Sequence, residues 1–192
     1  MTRFGIALMA LFLWNYAMAA DTEEPSWTLV DTLDEVELRA YAPTVRAVTR
    51  LDHSGQTTAG FQRLAGFIFG GNETGEKIAM TAPVEETLSS EAPIMAFTMP
   101  AQYAMDDLPA PEDDSVQLKE MPGRNMAAIR FSGWATDGKV SRKTYELMRT
   151  LARHGINTLG DPSLNQYNPP WTPPFLRRNE IMIEVRLPQA DD

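Results

Sequence analysis

His53 and His154 are the only imidazoles in the chain, and cysteine is absent. A thiolate nucleophile and a cysteine-held zinc are therefore excluded. The two histidines cannot form H-E-x-x-H, and neither G-x-x-x-x-G-K-[ST] nor G-x-G-x-x-G occurs. Ser54 beside His53 and the adjacent Glu85-Glu86 are the nearest approach to nucleophilic or acid–base groups. No third group to orient the imidazole, and no oxyanion hole, can be traced around them. What remains is the chemistry of apolar and aromatic surface. It is concentrated in Tyr167-Asn-Pro-Pro-Trp-Thr-Pro-Pro-Phe175, where prolines alternate with Tyr167, Trp171 and Phe175. Each proline fixes φ and restricts the residue before it, so this loop is stiff. The alternation of Ile181, Ile183 and Val185 that follows predicts a strand. A rigid aromatic loop feeding a terminal strand is suited to be one wall of a pocket.

A second wall is needed, and Thr57–Phe69 supplies a candidate. Phe61, Leu64, Ala65 and Ile68 have helical spacing, and Gly70-Gly71-Asn72 ends the pattern. With Gly60, Phe67 and Phe69 added, the apolar or small arc is about twice the width of roughly 100° that an amphipathic surface helix needs. Part of it is left over once the helix has packed on a sheet.

The first twenty residues read as a secretory signal peptide. Arg3 precedes an uncharged apolar run from Gly5 to Met18, and small residues around Ala19 offer a cleavage site. That run is short for a membrane span, with an uncleaved N-terminal anchor as the alternative, and no other segment is long and apolar enough, so stable membrane insertion after cleavage is not expected. Residues 21–192 then form one domain, exported to the periplasm or secreted. Without Arg3, 16 basic side chains face 26 acidic ones. Such a charge repels nucleic-acid phosphates, and no nucleic-acid role is expected. With no cysteine, the fold rests on its core alone.

Along the chain, Val36–Tyr41 alternates as a half-buried strand, and Val45–Leu51 begins another. Strands are also expected over Trp27–Val30, Lys77–Val84 and Ile94–Pro100. A second helix is expected from about Val140, with Leu147, Met148 and Leu151 as its stripe and Gly155 as its stop. A weak repeat links the halves: Val36, Leu38, Arg39, Ala47 and Arg50 match Val116, Leu118, Lys119, Ala127 and Arg130 at a spacing of 80. The order of elements agrees, and predicts one mainly antiparallel α+β domain from a duplicated strand–strand–helix–strand unit.

Lys77-Ile-Ala-Met-Thr-Ala-Pro-Val84, Ala96-Phe-Thr-Met-Pro100, Phe131-Ser-Gly133 and Tyr167–Glu180 together resemble the SOUL haem-binding protein family, from about Trp27 to Val185. The resemblance implies a distorted antiparallel β-barrel flanked by two helices. It also implies non-covalent binding of haem or a related tetrapyrrole between the first helix and the loop before the last strand. Phe61, Leu64, Ala65 and Ile68 would then supply one wall, and Tyr167, Trp171 and Phe175 the other. Some animal members carry basic residues that meet the propionates. The aligned positions here are Thr58, Gly66 and Thr172, all uncharged. Arg177 and Arg178 match the family's Arg-Arg-Asn-Glu run, with a structural role beside Glu180 expected for both.

For iron, His53 could reach the pocket mouth as an axial ligand, or be a solvated turn residue. His154 is accounted for by the helix dipole, and Met80, Met95 and Met99 by the core. Tyr167 could ligate, although stacking is the simpler account. Covalent c-type attachment is excluded by the lack of cysteine. The expected function is an exported, non-catalytic binding protein for haem or another tetrapyrrole, acting in buffering or transfer. The alternatives are a general binder of amphiphilic small molecules, on a fold like the effector-binding domains of bacterial regulators, and a tetrapyrrole-modifying enzyme. Recognition of the proline loop by a partner's aromatic groove is a further reading, disfavoured because the following strand ties the loop into the fold.

Overall fold

The computed structural model describes residues 22–53, 57–89, 91 and 93–187. The expected signal peptide lies outside the described residues. The elements are strands β1 (Trp27–Leu33), β2 (Val36–Tyr41) and β3 (Thr44–Arg50), helix α1 (Thr57–Ile68), and strands β4 (Val84–Thr87) and β5 (Ile94–Thr98). They continue with β6 (Val116–Met121), β7 (Arg124–Phe131), helix α2 (Asp137–Arg153), β8 (Asn157–Gln166) and β9 (Asn179–Arg186). All strand pairs are antiparallel and belong to one sheet, ordered β1-β2-β7-β9-β8-β4-β5-β3-β6.

The repeat is real at the level of elements. β2 and β6, β3 and β7, and α1 and α2 each begin 80 residues apart. Each unit contains one strand more than expected, ending in β4-β5 or β8-β9. With β1 set aside, naming strands by their place in the unit makes the sheet order palindromic about the β8–β4 pair. The first strand of each unit is exchanged: β2 pairs with β7 of the other unit, and β6 with β3. Neither half can complete its sheet alone.

Each helix covers its own part of the sheet. Leu64, Phe67 and Ile68 of α1 pack with Val45, Ala47 and Phe97 in one buried cluster. Leu147 and Leu151 of α2 pack with Val36, Leu38, Ile181 and Ile183 in a second. At about 1.5–3 kcal/mol per fully buried large side chain, these two clusters dominate the hydrophobic stabilisation.

The α+β expectation holds, whereas the sheet is not closed into a barrel. Its order begins at β1 and ends at β6, and no β1–β6 pairing occurs among the described residues. β1 and β6 each pair on one side only, with β2 and β3 respectively, so the sheet keeps two free edges. The expected strand over Lys77–Val84 is also displaced. Only Val84 of that stretch enters a named strand. The Ile78 N–H instead bonds the Ile68 carbonyl at 2.8 Å, occupying an otherwise orphaned acceptor at the end of α1. The turn after that helix passes through Gly70, whose φ of +111° suits glycine, with Gly71 N–H closing back on the Gly66 carbonyl at 2.8 Å.

Candidate functional site

A groove of about 550 Å³ lies between α1 and the proline loop, within the roughly 300–1,000 Å³ of small-molecule sites. Helical geometry decides which part of α1 reaches it. Leu64 is 0 % exposed and Ile68 is equally enclosed, because their face meets the sheet. The adjoining face presents Thr57, Thr58, Phe61 and Gln62 to the groove. Val84 and Met95 form its floor from β4 and β5. Gln166, Asn168, Pro170 and Arg177 face them from the other side.

Phe61 is the aromatic wall. Its ring stands edge-on to Phe97, with centroids 5.4 Å apart and planes at 64°. Yet 40 % of the residue is exposed. One part of the side chain is anchored in the core and another is bare toward the groove. A flat apolar ligand could cover that bare surface.

Arg177 is the cationic group. Its Nε donates to the Thr172 carbonyl at 2.9 Å, Nη2 donates to the Pro170 carbonyl, and the guanidinium stacks 3.8 Å from the Trp134 ring centre. The loop is thus bound around the guanidinium, and a further hydrogen bond from Gly133 N–H to the Pro174 carbonyl fastens its far side. Among the described residues the partners of Arg177 are carbonyls and a ring, so no carboxylate neutralises it. This corrects the expectation that Arg177 pairs with an acidic neighbour. Arg178 does so: it contacts Glu180 at 3.1 Å and Glu24 at 3.0 Å, and stacks 3.6 Å over Tyr167.

Tyr167 is not part of the groove lining. Strand periodicity sends Gln166 and Asn168 to one side and Tyr167 to the other. There its hydroxyl donates to Glu180 Oε2 at 2.8 Å. Burial first, and then the Glu180 charge, push the phenol well above its ordinary pKa. It stays neutral and serves as a hydrogen-bond donor. Trp171 and Phe175 are 82 % and 77 % exposed, and neither lines the groove. Thr172 contributes the carbonyl that holds Arg177. Ala65 is partly buried and outside the lining, while Thr58 and Phe61 lie directly on the groove. His53 is exposed and outside the lining. The His154 ring nitrogen Nδ1 lies 2.9 Å from the Thr150 carbonyl at the end of α2.

Val84, Met95, Gln166, Asn168 and Pro170 were not legible as site residues. For Gln166 and Asn168 the usable signal was their alternation with Tyr167 on one extended segment. The assembled surface suits the organic part of a tetrapyrrole: aromatic and aliphatic faces for the ring, and one uncompensated guanidinium for a carboxylate. Toward iron the lining offers, among the described residues, neither imidazole, thiolate nor phenolate, and its one soft donor there is the thioether of Met95, which is itself buried.

Comparison with known proteins bears on the family and the fold. The model of a family described as SOUL heme-binding protein matches residues 22–184. Heme-binding protein 2 of Mus musculus is 27 % identical over 186 residues, covering 84 % of this chain and 89 % of its own. Heme-binding protein 1 of Mus musculus is 28 % identical over 126 residues, covering 61 % and 65 %. Among solved structures, the EcmrR C-terminal domain aligns over 81 % of this chain and 99 % of its own, with a TM-score of 0.61 at 10 % identity. A hydrolase from Listeria innocua aligns over 91 % and 98 %, with a TM-score of 0.56 at 11 % identity. At these identities the two structures share the fold alone.

Proposed function

The chain belongs to the SOUL heme-binding protein family, and from that premise we propose that its groove between α1 and the proline loop binds haem or a related tetrapyrrole. The observation that carries this reading is the pairing of Phe61, half bare above Phe97, with Arg177, an uncompensated guanidinium across the same groove. A porphyrin is apolar on both faces and carries two propionates on one edge. Phe61, Val84 and Met95 meet the first requirement, and Arg177 together with the amides of Gln166 and Asn168 meets the second.

Haem, when bound, would supply the iron and its redox and ligand chemistry. The chain's residues bind the ring, orient its carboxylates and shield one face from water. His53 remains the imidazole nearest in sequence to α1, and a role for it at the groove mouth is part of the proposal. Trp171 and Phe175 are placed by the same reading as outer flanks of a bound ring. We take the role to be buffering or transfer rather than catalysis, since reversible capture needs no acid–base or nucleophilic group in the lining. Residues 1–20 are read as an export signal, which would place this capture in the periplasm or outside the cell.

Hemin titration of the purified protein tests the proposal. Saturable 1:1 binding is expected, with a shifted Soret band and quenched tryptophan fluorescence, because Trp134 lies against Arg177 at the groove. No saturable change at micromolar hemin would overturn it.

A further inference from the structure

A second cavity, of about 620 Å³, opens on a part of the chain that the groove does not use. It is framed by residues 23–26, the β2–β3 and β6–β7 turns, and residues 98–105 from the end of β5 onward. Its apolar floor includes Val45 and Met99, both buried, with Met105 and Met121 alongside. Tyr103 lines it, its hydroxyl held by Glu76 Oε1 at 2.7 Å.

The wall formed by residues 23–26 is fixed in place. The Ala82 N–H donates to the Glu23 carbonyl at 2.8 Å, the Ala101 N–H donates to Glu23 Oε1 at 2.6 Å, and the Ala42 N–H donates to the Ser26 carbonyl at 3.2 Å. The cavity is therefore organised before any ligand arrives, which reduces the ordering cost of binding.

Its charge is one-signed. Among the described residues the lining contains Glu23, Glu24 and Glu120 and no lysine, arginine or histidine. Glu24 is neutralised by Arg178 at 3.0 Å. Among the described residues, the Glu23 carboxylate accepts only from a neutral backbone amide, and Glu120, exposed on β6, has no ion pair. Two carboxylates are thus left over an apolar, thioether- and tyrosine-lined surface. A hydrophobic cation satisfies both features: its apolar body covers the floor, and its charge meets the carboxylates and the Tyr103 ring.

We propose that this cavity is a second ligand site, selective for amphiphilic organic cations such as aromatic quaternary ammonium compounds. It is separate from the groove at Phe61 and Arg177 and does not depend on haem binding there. The two sites would have opposite charge preferences, one for carboxylates and one for cations.

The test uses two probes of similar aromatic body and opposite charge, naphthylmethyl-trimethylammonium and naphthalenesulfonate, titrated calorimetrically into the full chain at physiological salt. The cation is expected to bind 1:1 and at least tenfold more tightly than the sulfonate. The double substitution Glu23→Gln and Glu120→Gln keeps the acceptor for Ala101 N–H. It should weaken the cation about tenfold and leave hemin titration unchanged. Phe61→Ala should leave the cation's affinity unchanged. Neutralising Glu73 and Asp161, exposed acids that do not line the cavity, should change it less than twofold, since they act on it only through screening solvent. Should the double variant fold poorly, Glu120→Lys on the exposed edge strand is the substitute, and should abolish cation binding. Equal affinity for both probes, indifference to the Glu23 and Glu120 changes, or loss of the cation on Phe61→Ala would each overturn the proposal.

Discussion

The Arg39 guanidinium grips the Glu180 carboxylate with two hydrogen bonds, Nη1 to Oε2 at 2.7 Å and Nη2 to Oε1 at 3.2 Å, across 141 residues of sequence. Both side chains are buried. The pair joins β2 to β9, which lie on either side of β7. Tyr167 and Arg178 complete the shell of Glu180, so the segments on both sides of the proline loop are tied to one carboxylate. The rigidity of the groove's outer wall therefore has an electrostatic component in addition to its prolines.

Acid should weaken this tie. Burial alone would raise the Glu180 pKa, but hydrogen bonds and charge from Arg39, then Arg178 and Tyr167, reverse that and hold it below the ordinary value. A carboxyl depressed in the folded state contributes stability above its unfolded pKa of about 4.3, and loses it as pH falls through the lower folded value. Urea unfolding from pH 7 to pH 3 should show that decline below about pH 4.5. Glu180→Gln should cost about 3 kcal/mol at pH 7, because Arg39 loses its buried counter-charge, and should flatten the acid limb. An unchanged limb would assign the acid sensitivity to other carboxylates.

Two residues three positions apart on α1 should separate wall from core. Leu64 is fully enclosed, and Leu64→Ala should cost about 2–5 kcal/mol in chemical denaturation. Phe61 is anchored only in part, so Phe61→Ala should cost about 1–2 kcal/mol. Hemin affinity should order them the other way. Phe61→Ala should lose at least tenfold, while folded Leu64→Ala should stay within about threefold of wild type.

That contrast also marks how far the sequence can be read. Phe61, Leu64, Ala65 and Ile68 were recognisable as one helical stripe, but only the packed sheet shows that Leu64 and Ile68 are consumed by it. The repeat was visible in Val36/Val116 and Ala47/Ala127 because both members occupy corresponding strands with like burial. The exchange of β2 and β6 was not, since pairing across units is a long-range choice that local alternation does not encode. Tyr167 was drawn into the site by the aromatic spacing of its loop. The β8 register puts it on the opposite face, where Glu180, thirteen residues later, holds it. Arg177 and Arg178 are neighbours of identical type with different duties. Only three-dimensional partners distinguish a ring-stacked guanidinium bound to carbonyls from one locked between two carboxylates.

Thr58 offers a gain-of-function test. It is exposed at the groove, at a position where some relatives were expected to carry a basic residue. Thr58→Lys should tighten hemin about three- to fivefold at low salt, as exposed charge pairs contribute roughly 0.2–1 kcal/mol. The gain should shrink in 0.5 M salt and vanish for hemin dimethyl ester. Equal gains for acid and ester would indicate added apolar contact by the lysine stem rather than recognition of a propionate.

Arg177 combines loop support with charge, and three variants can divide these. The guanidinium holds the Thr172 and Pro170 carbonyls while stacked on Trp134. A lysine cannot reproduce that planar set of contacts, although it retains the charge. Arg177→Lys should therefore loosen the loop, seen as faster amide exchange at Thr172 and Leu176, whose N–H groups bond within the loop, and weaken hemin and its dimethyl ester alike. Arg177→Gln loses the charge as well, and should weaken hemin several-fold more than the ester. Trp134→Ala removes the stacking surface and leaves the charge, so it should resemble Arg177→Lys. If Arg177→Gln affects hemin and ester equally, Arg177 acts only through the loop and the carboxylate is held elsewhere. If Arg177→Lys leaves exchange unchanged, the prolines and the Gly133–Pro174 hydrogen bond are sufficient to hold the wall.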